Sequence, residues 1–249
     1  MQKQIRYEAS MVNFNNIPGN LFVYWVGKSI FDIYKNYIPL NSICDPKQGI
    51  AASGNDLFLR HWYEVNFLKA CFINDENFDY IQSTKKYKWF QYSKGGEFRK
   101  WYGNEEYLIN YANNGYDINH HKGAVVRNPS YYFKESISWS DISSYKISFK
   151  YKTFGHIFDA AGPSIFFENK DDMQFCLGLL NTVIIEKIAK FMSPALHFSV
   201  GQVAVYPFKN CDKLKKDIVI LYIQENIKLS KNDWDSFETS WNFKKHPLI

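Results

Sequence analysis

Apolar residues recur at helical spacing near the start of the chain and again in its second half. In residues 23–38, apolar side chains at positions 23, 26, 30, 34 and 37 predict a helix that ends at Pro39. Residues 171–191 are apolar on most sides, which predicts a buried helix capped by Asp171 or Asp172. The chain is therefore partly helical.

The end of the chain carries a further helical pattern. Residues 213–227 predict an amphipathic helix, although the run 218–223 would also suit a buried strand. Asp233 predicts the cap of another short helix, through Trp241, and the aromatic side chains there would have little to pack against if nothing followed. The apolar face of the longer helix would be formed by Leu214, Ile218, Leu221 and Tyr222.

Short apolar runs bounded by turn residues predict β-strands elsewhere. Residues 147–151 alternate apolar and polar positions, which predicts a half-buried strand, and residues 157–167 carry small residues at their centre, which predicts a bend. The other predicted strands are residues 40–52, 57–67, 89–92, 107–111 and 200–205.

Turn residues interrupt two of these strands. Asp45-Pro46 and Gly49 would break residues 40–52 into short strands before a polar loop at 53–56, and no Gly-Lys-Ser/Thr follows that would make it a phosphate-binding P-loop. Asn113-Asn114-Gly115 would close the strand at 107–111.

Composition and charge permit nucleic-acid binding without requiring it. The net charge is +5, from 30 basic and 25 acidic residues, and aromatic residues make up 18% of the chain. Such rings fill a core or line a binding face. Arginine is scarce, and its planar guanidinium fork suits phosphates and base edges. The three internal arginines, Arg60, Arg99 and Arg127, are therefore candidates for contacts.

Other classes receive little support from the sequence. The four cysteines are scattered and lack the paired spacing of a zinc ribbon or a disulfide framework. The chain starts without an apolar signal-peptide core, and no run approaches the roughly 20 apolar residues of a membrane span. These features predict a cytoplasmic protein that does not contact a membrane.

Residues 85–102 (KKYKWFQYSKGGEFRKWY) carry the strongest local signal. Six basic residues and seven aromatic residues accompany one acid, Glu97. Cations neutralise phosphates, rings stack on bases, and Gly95 and Gly96 let backbone N–H groups approach a phosphate. A hairpin whose lysine-rich face merely stays in water explains the local pattern equally well.

Two further motifs favour ordinary structural roles. Asn128-Pro129-Ser130-Tyr131 is similar to the Asn/Asp-Pro-Pro-Tyr/Phe motif of amino-methyltransferases, but Ser130 replaces the second proline and no Gly-rich cofactor loop precedes it. A turn is the better interpretation. His120-His121 with Asp117 suggests a metal site, yet adjacent residues of a strand point to opposite faces, so a surface loop is favoured.

A series of longer strings resembles a known family. In order, "NNIPGNLFVYWV", "DPKQGIAASGNDLFLRHWYEV", "KWFQYSKGGEFRKWYGNEEYLINY", "SYYFKESISWSDIS", "GHIFDAAGPSIFF" and "NDWDSFETSWNFKKHPLI" resemble the region after the catalytic domain in BREX phage-exclusion adenine-specific DNA methyltransferases, the PglX family. The resemblance runs from about residue 17 to the end.

This resemblance implies a target-recognition domain with an α+β fold, in which a twisted mixed β-sheet with flanking helices lies against double-stranded DNA. The implied divisions are a lead-in at 1–16, the recognition domain at 17–208 and a helical tail at 209–249 that starts a further helical region. The full-length relatives use S-adenosylmethionine, and their methyltransferase domain would precede this chain. We therefore expect no catalytic residue, metal or cofactor here, and expect that domain and other BREX proteins as partners.

Under this hypothesis Lys94, Gly95, Arg99 and Lys100 grip the DNA backbone, while Arg60 and Arg127 contact backbone or bases. The family pattern usually has an arginine where this chain has Leu57, which puts a basic contact there in doubt. The full set of candidate DNA-binding residues is Arg60, Lys85, Lys86, Lys88, Tyr92, Lys94, Gly95, Gly96, Arg99, Lys100 and Arg127.

Two rival functions stay open. A protein-interaction module would dock other phage-defence components through its aromatic face, with little dependence on salt. An independent nuclease would show metal-dependent turnover, which we do not expect.

Overall fold

The computed structural model describes residues 14–143, 145–246 and 248, and most of its strands belong to two sheets. The strands are β1 (Ile38–Pro39), β2 (Asp45–Lys47), β3 (Leu59–His61), β4 (Ala70–Cys71), β5 (Trp89–Ser93), β6 (Tyr107–Asn110), β7 (Ser136–Trp139), β8 (Phe149–Lys152), β9 (His156–Phe158), β10 (Ser164–Phe166) and β11 (Pro207–Phe208). The helices are α1 (Lys28–Asn36), α2 (Asn55–Phe58), α3 (Tyr80–Ser83), α4 (Ala112–Asn119), α5 (Lys170–Leu180), α6 (Val183–Met192), α7 (Val200–Ala204) and α8 (Lys213–Asp235).

The first sheet is mixed and is built around β5. Its order is β3-β6-β5-β4, and β9 also pairs with β5. The β5–β6 and β3–β6 pairs are antiparallel, whereas β4 and β9 run parallel to β5. Short 3₁₀ turns, Trp62–Glu64 and Phe67–Lys69, connect the early strands. The predicted strands at 89–92 and 107–111 are confirmed, whereas the predicted strand at 57–67 shrinks to β3.

The second sheet is antiparallel, in the order β2-β10-β7-β8. One face carries Ile137, Trp139, Phe149 and Ile165, which pack with residues of α5 and α6 in the larger core. Strand β2 runs through Pro46, which we predicted to be a break. Pro46 is tolerated because β2 lies at the edge of the sheet, where a missing N–H donor faces no partner strand.

The helix predicted at 171–191 is two helices, α5 and α6. Asn169, not Asp171 or Asp172, caps the first, and Thr182 caps the second. Between them, the Asn181 amide donates to the Phe149 carbonyl at 2.9 Å and accepts from the Phe149 N–H at 3.1 Å. The chain breaks there because Asn181 pairs with the buried outer edge of β8 as a neighbouring strand would.

Two other predictions differ from the structure in the type or bounds of the element. Residues 200–205 were predicted as a strand but form α7, because Ser199 and Gln202 make a capping box at its start. The helix predicted at 23–38 is shorter, since α1 begins after Gly27. The helix ends at Asn36, before Pro39, and Pro39 itself belongs to β1, which pairs with β11.

The C-terminal helix is confirmed, but its packing face is not the predicted one. The predicted face is exposed, whereas Ile220 and Ile223 are buried. Asp233 lies inside α8 and caps no further helix. The tail also has partners within the chain, because Trp241 packs on Phe72 with ring centroids 5.0 Å apart and Trp62 Nε1 donates to the Thr239 carbonyl at 3.0 Å. The predicted face, now exposed, consists of Leu214, Ile218, Leu221 and Tyr222.

The predicted fold class is confirmed. Mixed and antiparallel sheets with helices packed beside them make an α+β fold. Within the described ranges, no helix has the length and hydropathy that a membrane crossing demands.

Candidate nucleic-acid interface

The segment 85–102 divides into parts with different surroundings. Its first lysines follow α3 and precede β5, and Lys85, Lys86 and Lys88 are exposed. Its centre is β5, which is largely buried. Its last residues pack towards the C-terminal helix. Only part of the segment is therefore a surface that faces solvent.

Lys69 joins the exposed lysines. Because β4 runs parallel to β5 with Ala70 opposite Trp89, the residues before the two strands are neighbours, and the Lys88 N–H donates to the Lys69 carbonyl at 2.9 Å. A shallow cleft results, which we call the lysine cleft. It is lined by Asn66, Lys69, Thr84, Lys85, Lys86, Tyr87, Lys88, Trp89, Ala112 and Asn113.

The cleft has an uncompensated positive charge. Among the described ion pairs, none involves its four lysines. The Lys85 ammonium donates to the side-chain oxygen of Gln82 at 2.9 Å, which is a neutral partner. Lys86 lies 4.9 Å from the Tyr87 ring centroid and Lys88 lies 5.3 Å from that of Trp89. The rings support the ammonium groups without neutralising them.

Arg60 lies near the cleft on β3, which β6 separates from β5 in the sheet. Its guanidinium carbon is 6.0 Å from the Trp89 ring centroid. Nη1 donates to the carbonyl oxygens of Asp56 and Leu59, both at 2.6 Å. These bonds orient the half-buried side chain and leave its charge without a carboxylate partner in the described residues.

Lys94 lies at the opposite end of β5. Six residues of extended chain separate it from Lys88, which corresponds to about 20 Å. Its ammonium is 4.7 Å from the Tyr107 ring centroid. Tyr107 in turn lies 4.5 Å from His61, which stacks on exposed Tyr63 at 5.2 Å. A second cation and a set of rings thus lie beyond the buried centre of β5, apart from the lysine cleft.

The double glycine has a structural reason of its own. Gly95 and Gly96 have φ values of +89° and +121°, a region that side chains rarely adopt. A Cβ on Gly95 would meet the Ala161 carbonyl oxygen at 2.9 Å, and one on Gly96 would meet the Asn104 amide at 2.7 Å. The loop needs both glycines to pack closely, whether or not a phosphate approaches; their DNA contact stays a prediction.

Tyr92 lies in the core and not on the surface. Its side chain is 1% exposed, and its hydroxyl donates to Asp159 Oδ2 at 2.7 Å. Burial, and then the charge of Asp159, raises the pKa of Tyr92. The proposed DNA contact of Tyr92 is therefore wrong for this fold, because β5 turns that side chain inward.

Arg99 and Lys100 are engaged within the protein. Arg99 pairs with Asp233 at 3.2 Å, and its guanidinium carbon is 4.9 Å from the Trp234 ring centroid. Lys100 Nζ donates to the Asn181 carbonyl at 2.7 Å. Both side chains thus connect the loop after β5 to the helices. Their predicted grip on DNA is untested, but it would compete with these contacts.

Arg127 is separate from the other candidates. It follows the bridge between Val125 and Ala51 and is half-buried. Its carbonyl accepts a hydrogen bond from the Tyr132 hydroxyl at 2.7 Å. None of the contacts described for Arg127 joins it to the lysine cleft.

Strand β8 is buried on both faces, which corrects the prediction of a half-buried strand. Lys150 and Lys152 are 0% and 1% exposed. Trp101 forms a bridge to Lys150, and Lys152 Nζ donates to the carbonyls of Gly103 and Asn104, so residues 101–104 cover the polar face.

A buried charge cluster joins the two sheets. Glu105 accepts from Lys152 Nζ and from His156 Nε2, both at 2.7 Å. His156 Nδ1 also lies within hydrogen-bond distance of an acceptor, the Thr153 carbonyl at 3.0 Å. Burial alone raises the pKa of Glu105, but the charges and hydrogen bonds of Lys152 and His156 outweigh it and lower the pKa to about 2.

Lys150 lies next to this cluster and has no hydrogen-bond partner among the described residues. Burial, and then the positive charge of Lys152, lower the pKa of Lys150 to about 7. Near neutral pH the Lys150 side chain is therefore divided between its charged and neutral forms.

The remaining motifs have structural roles. Asn128 adopts a left-handed conformation before a 3₁₀ turn, Pro129–Tyr131, which confirms the predicted turn. The Asn128 amide donates to the Gln48 carbonyl and the Tyr131 hydroxyl donates to Asp45, both at 2.9 Å. Around His120, the described residues contain no group of three or more potential metal ligands.

Sequence reasoning missed Lys69, Asn113 and the buried cluster. Lys69 becomes a neighbour of Lys88 only through a parallel strand pair, and its lone position carried no local signal. The closely spaced Lys150 and Lys152 could have been noticed, because two lysines on one face of an otherwise apolar strand demand a partner.

Two known proteins match the chain in sequence along nearly its whole length. The chain is 35% identical over 252 aligned residues to the adenine-specific methyltransferase PglX of Lacticaseibacillus casei (strain Zhang), covering 98% of this chain and 20% of the relative. It is 35% identical over 240 aligned residues to the adenine-specific methyltransferase BrxX of Escherichia coli O9:H4 (strain HS), covering 95% and 18%. No protein-family model matches the chain. The chain thus spans about a fifth of the length of these relatives.

Proposed function

Because this chain is related along nearly its whole length to one region of the PglX family of adenine-specific methyltransferases, we propose that it is a DNA-recognition segment of such an enzyme. It would hold double-stranded DNA in the cytoplasm while another part of the enzyme transfers the methyl group. A role in a BREX phage-defence system is part of this proposal.

The lysine cleft is the observation that carries the proposal. Four exposed ammonium groups without ion-pair partners in the described residues converge from two chain segments. Each lysine that neutralises a phosphate releases counterions, which steepens the fall of log K with log salt concentration by about 0.9 per contact on B-DNA. We propose Lys94, about 20 Å away at the other end of β5, as a separate phosphate contact.

In the part of the chain that the structure describes, neither the motif at 128–131 nor Gly49 forms a methyl-transfer site. The Asn128 and Tyr131 side chains, which a flipped adenine would need, bind Gln48 and Asp45 instead. At Gly49 an added Cβ would meet the Phe158 carbonyl oxygen at 1.8 Å, so this glycine permits strand packing and forms no cradle. We therefore assign no step of methyl transfer to these residues, and propose that the cofactor is held elsewhere in the longer enzyme.

Fluorescence anisotropy with a labelled duplex at several salt concentrations tests the proposal. The variant Lys69→Gln/Lys86→Gln/Lys88→Gln is expected to weaken binding to all sequences and to reduce the salt slope by about 2–3. The matched control, Lys187→Gln/Lys190→Gln, removes exposed charges from α6 and should change neither. Equal affinities and slopes for the two variants would overturn the proposal.

A protein-docking function is the second candidate, and the exposed face of α8 favours it. Leu214, Leu221 and Tyr222 are 73%, 66% and 69% exposed. Large apolar side chains grouped on one helix face are typical of an interface. The remaining four fifths of a PglX-type enzyme are the partner that we propose. Binding of a partner with weak salt dependence, together with no binding of DNA, would favour this function over the first.

A further inference from the structure

A left-handed turn forms one wall of the lysine cleft. Asn113, Asn114 and Gly115 have φ values of +50°, +57° and +72°. Non-glycine residues enter this region at a cost and as isolated residues, so two asparagines in succession are unusual. Gly115 is required because a Cβ there would meet the Tyr111 ring at 2.4 Å.

Buried Thr84 holds this turn in place. Its carbonyl accepts from the Asn113 N–H at 2.9 Å. Its hydroxyl oxygen accepts from the Asn114 N–H at 3.1 Å, and its one proton is shared between the Ile81 carbonyl at 2.8 Å and Asn114 Oδ1 at 3.1 Å. Backbone conformations of this kind persist only where surrounding contacts impose them, and they concentrate at functional sites.

The turn presents one amide to the cleft. The Asn113 side chain is exposed, lines the cleft beside the lysines, and makes no hydrogen bond to any other described residue. Its neighbours are occupied: the Asn114 amide oxygen binds Thr84, and the Asn119 amide donates to the carbonyls of Asn114 and Gly115. Asn113 thus offers a free donor and a free acceptor on a fixed backbone.

We propose that Asn113 reads an adenine edge in the DNA major groove, and that the lysines around it fix the phosphates. This inference rests on the proposed function and adds to it a residue that determines specificity. An asparagine amide matches the N6 donor and N7 acceptor of adenine with two hydrogen bonds. The lysines cannot supply this selectivity, because flexible point charges bind any phosphate.

The test is selection from a randomised duplex pool, followed by sequencing of the bound DNA. Wild-type protein is expected to enrich a motif that contains an adenine. Asn113→Gly retains a left-handed backbone and removes the amide, so it should lose the preference at that one position by about 5- to 150-fold, while the salt slope, which the lysines set, stays the same. Asn113→Asp should shift that position towards cytosine, whose N4 amine a carboxylate accepts.

Asn114→Gly is the matched control, because it changes the adjacent left-handed residue whose amide faces Thr84. It should leave the motif unchanged. Unfolding curves check that each variant is folded. If Asn113→Gly is not folded, the motif selected by Asn113→Asp decides the test. A motif that is the same in wild type and both Asn113 variants overturns the role of Asn113 and leaves DNA binding standing. If the wild-type protein does not bind DNA at all, the proposed function is overturned as well.

Discussion

Lys152 of the second sheet and Glu105, which follows the loop after β5, form an ion pair of 2.7 Å in which each side chain is 1% exposed. His156 of the first sheet completes the cluster from the other side of the carboxylate. A carboxylate and an ammonium in the interior are costly to desolvate, so removing one of them leaves the other without compensation. The cluster therefore links the two sheets through buried polar contacts.

Glu105→Gln is expected to destabilise the protein by about 3–5 kcal/mol, because the buried Lys152 ammonium loses its counterion. Urea denaturation at pH 7 measures this change. The folded-state pKa of Glu105 is lowered from 4.5 to about 2, so its contribution is complete above pH 4.5 and is lost as the pH falls towards 2. The difference between wild type and variant should shrink over that range, and a constant difference would contradict the assignment.

Lys150→Met is expected to stabilise the protein near neutral pH by about 1–4 kcal/mol, because it removes a buried charge that has no partner in the described residues. The pKa of Lys150 falls from 10.5 to about 7 on folding. The unfolded chain therefore binds the extra proton between these values, and wild-type stability rises with pH across that window. Thermal unfolding of the two proteins at pH 6 and pH 10 should show a gap that narrows at the higher pH.

Lys100→Met is expected to lower the free energy of unfolding by about 1.5–3 kcal/mol, because a charged hydrogen bond to the Asn181 carbonyl is lost. Affinity for DNA should change little, since the ammonium is already engaged. Lys86→Gln is the converse control: it is expected to weaken DNA binding and to leave the free energy of unfolding unchanged. If Lys100→Met weakens DNA binding as much as Lys86→Gln does, the ammonium leaves Asn181 to reach the phosphates.

Gly96→Ala is expected to destabilise the protein by about 1–2 kcal/mol or more, because an alanine at φ +121° is strained and its Cβ meets Asn104. Gly201→Ala in α7 is the control in the opposite direction. Nothing lies within 4 Å of a Cβ there, and alanine favours a helix by about 1 kcal/mol. Melting temperatures should move down for the first variant and up for the second.

The strands around the site could be predicted because their patterns are local. Alternation and turn residues mark β5 and β6, and both lie where the pattern places them. The exposure of Lys86 and Lys88 was predicted with them. The inward turn of Tyr92 was not, because the aromatic-basic pattern carries no information about which face of the strand becomes the core.

The packing of α8 shows why other features could not be predicted. The helix carries two apolar stripes, and the sequence pattern favoured the one that is exposed. The stripe with Ile220 and Ile223 is buried because Gly178 leaves a notch in α5, where a Cβ would lie 2.8 Å from Ile223. Which stripe is buried therefore depends on Gly178, 45 positions away from Ile223. The place of Lys69 beside Lys88 likewise depends on a distant contact, the pairing of β4 with β5.

The arrangement of β5 also has a consequence for synthesis of the chain. Its partner strands begin at Ala70, Tyr107 and His156, so the edge at Gln91–Ser93 stays open until the last of them has emerged from the ribosome. Contacts so distant along the chain form slowly, and an open, apolar strand edge pairs readily with other molecules. Fragments that end before residue 156 should therefore aggregate when expressed, and any shortened version used for crystallisation or binding work should extend beyond Phe158.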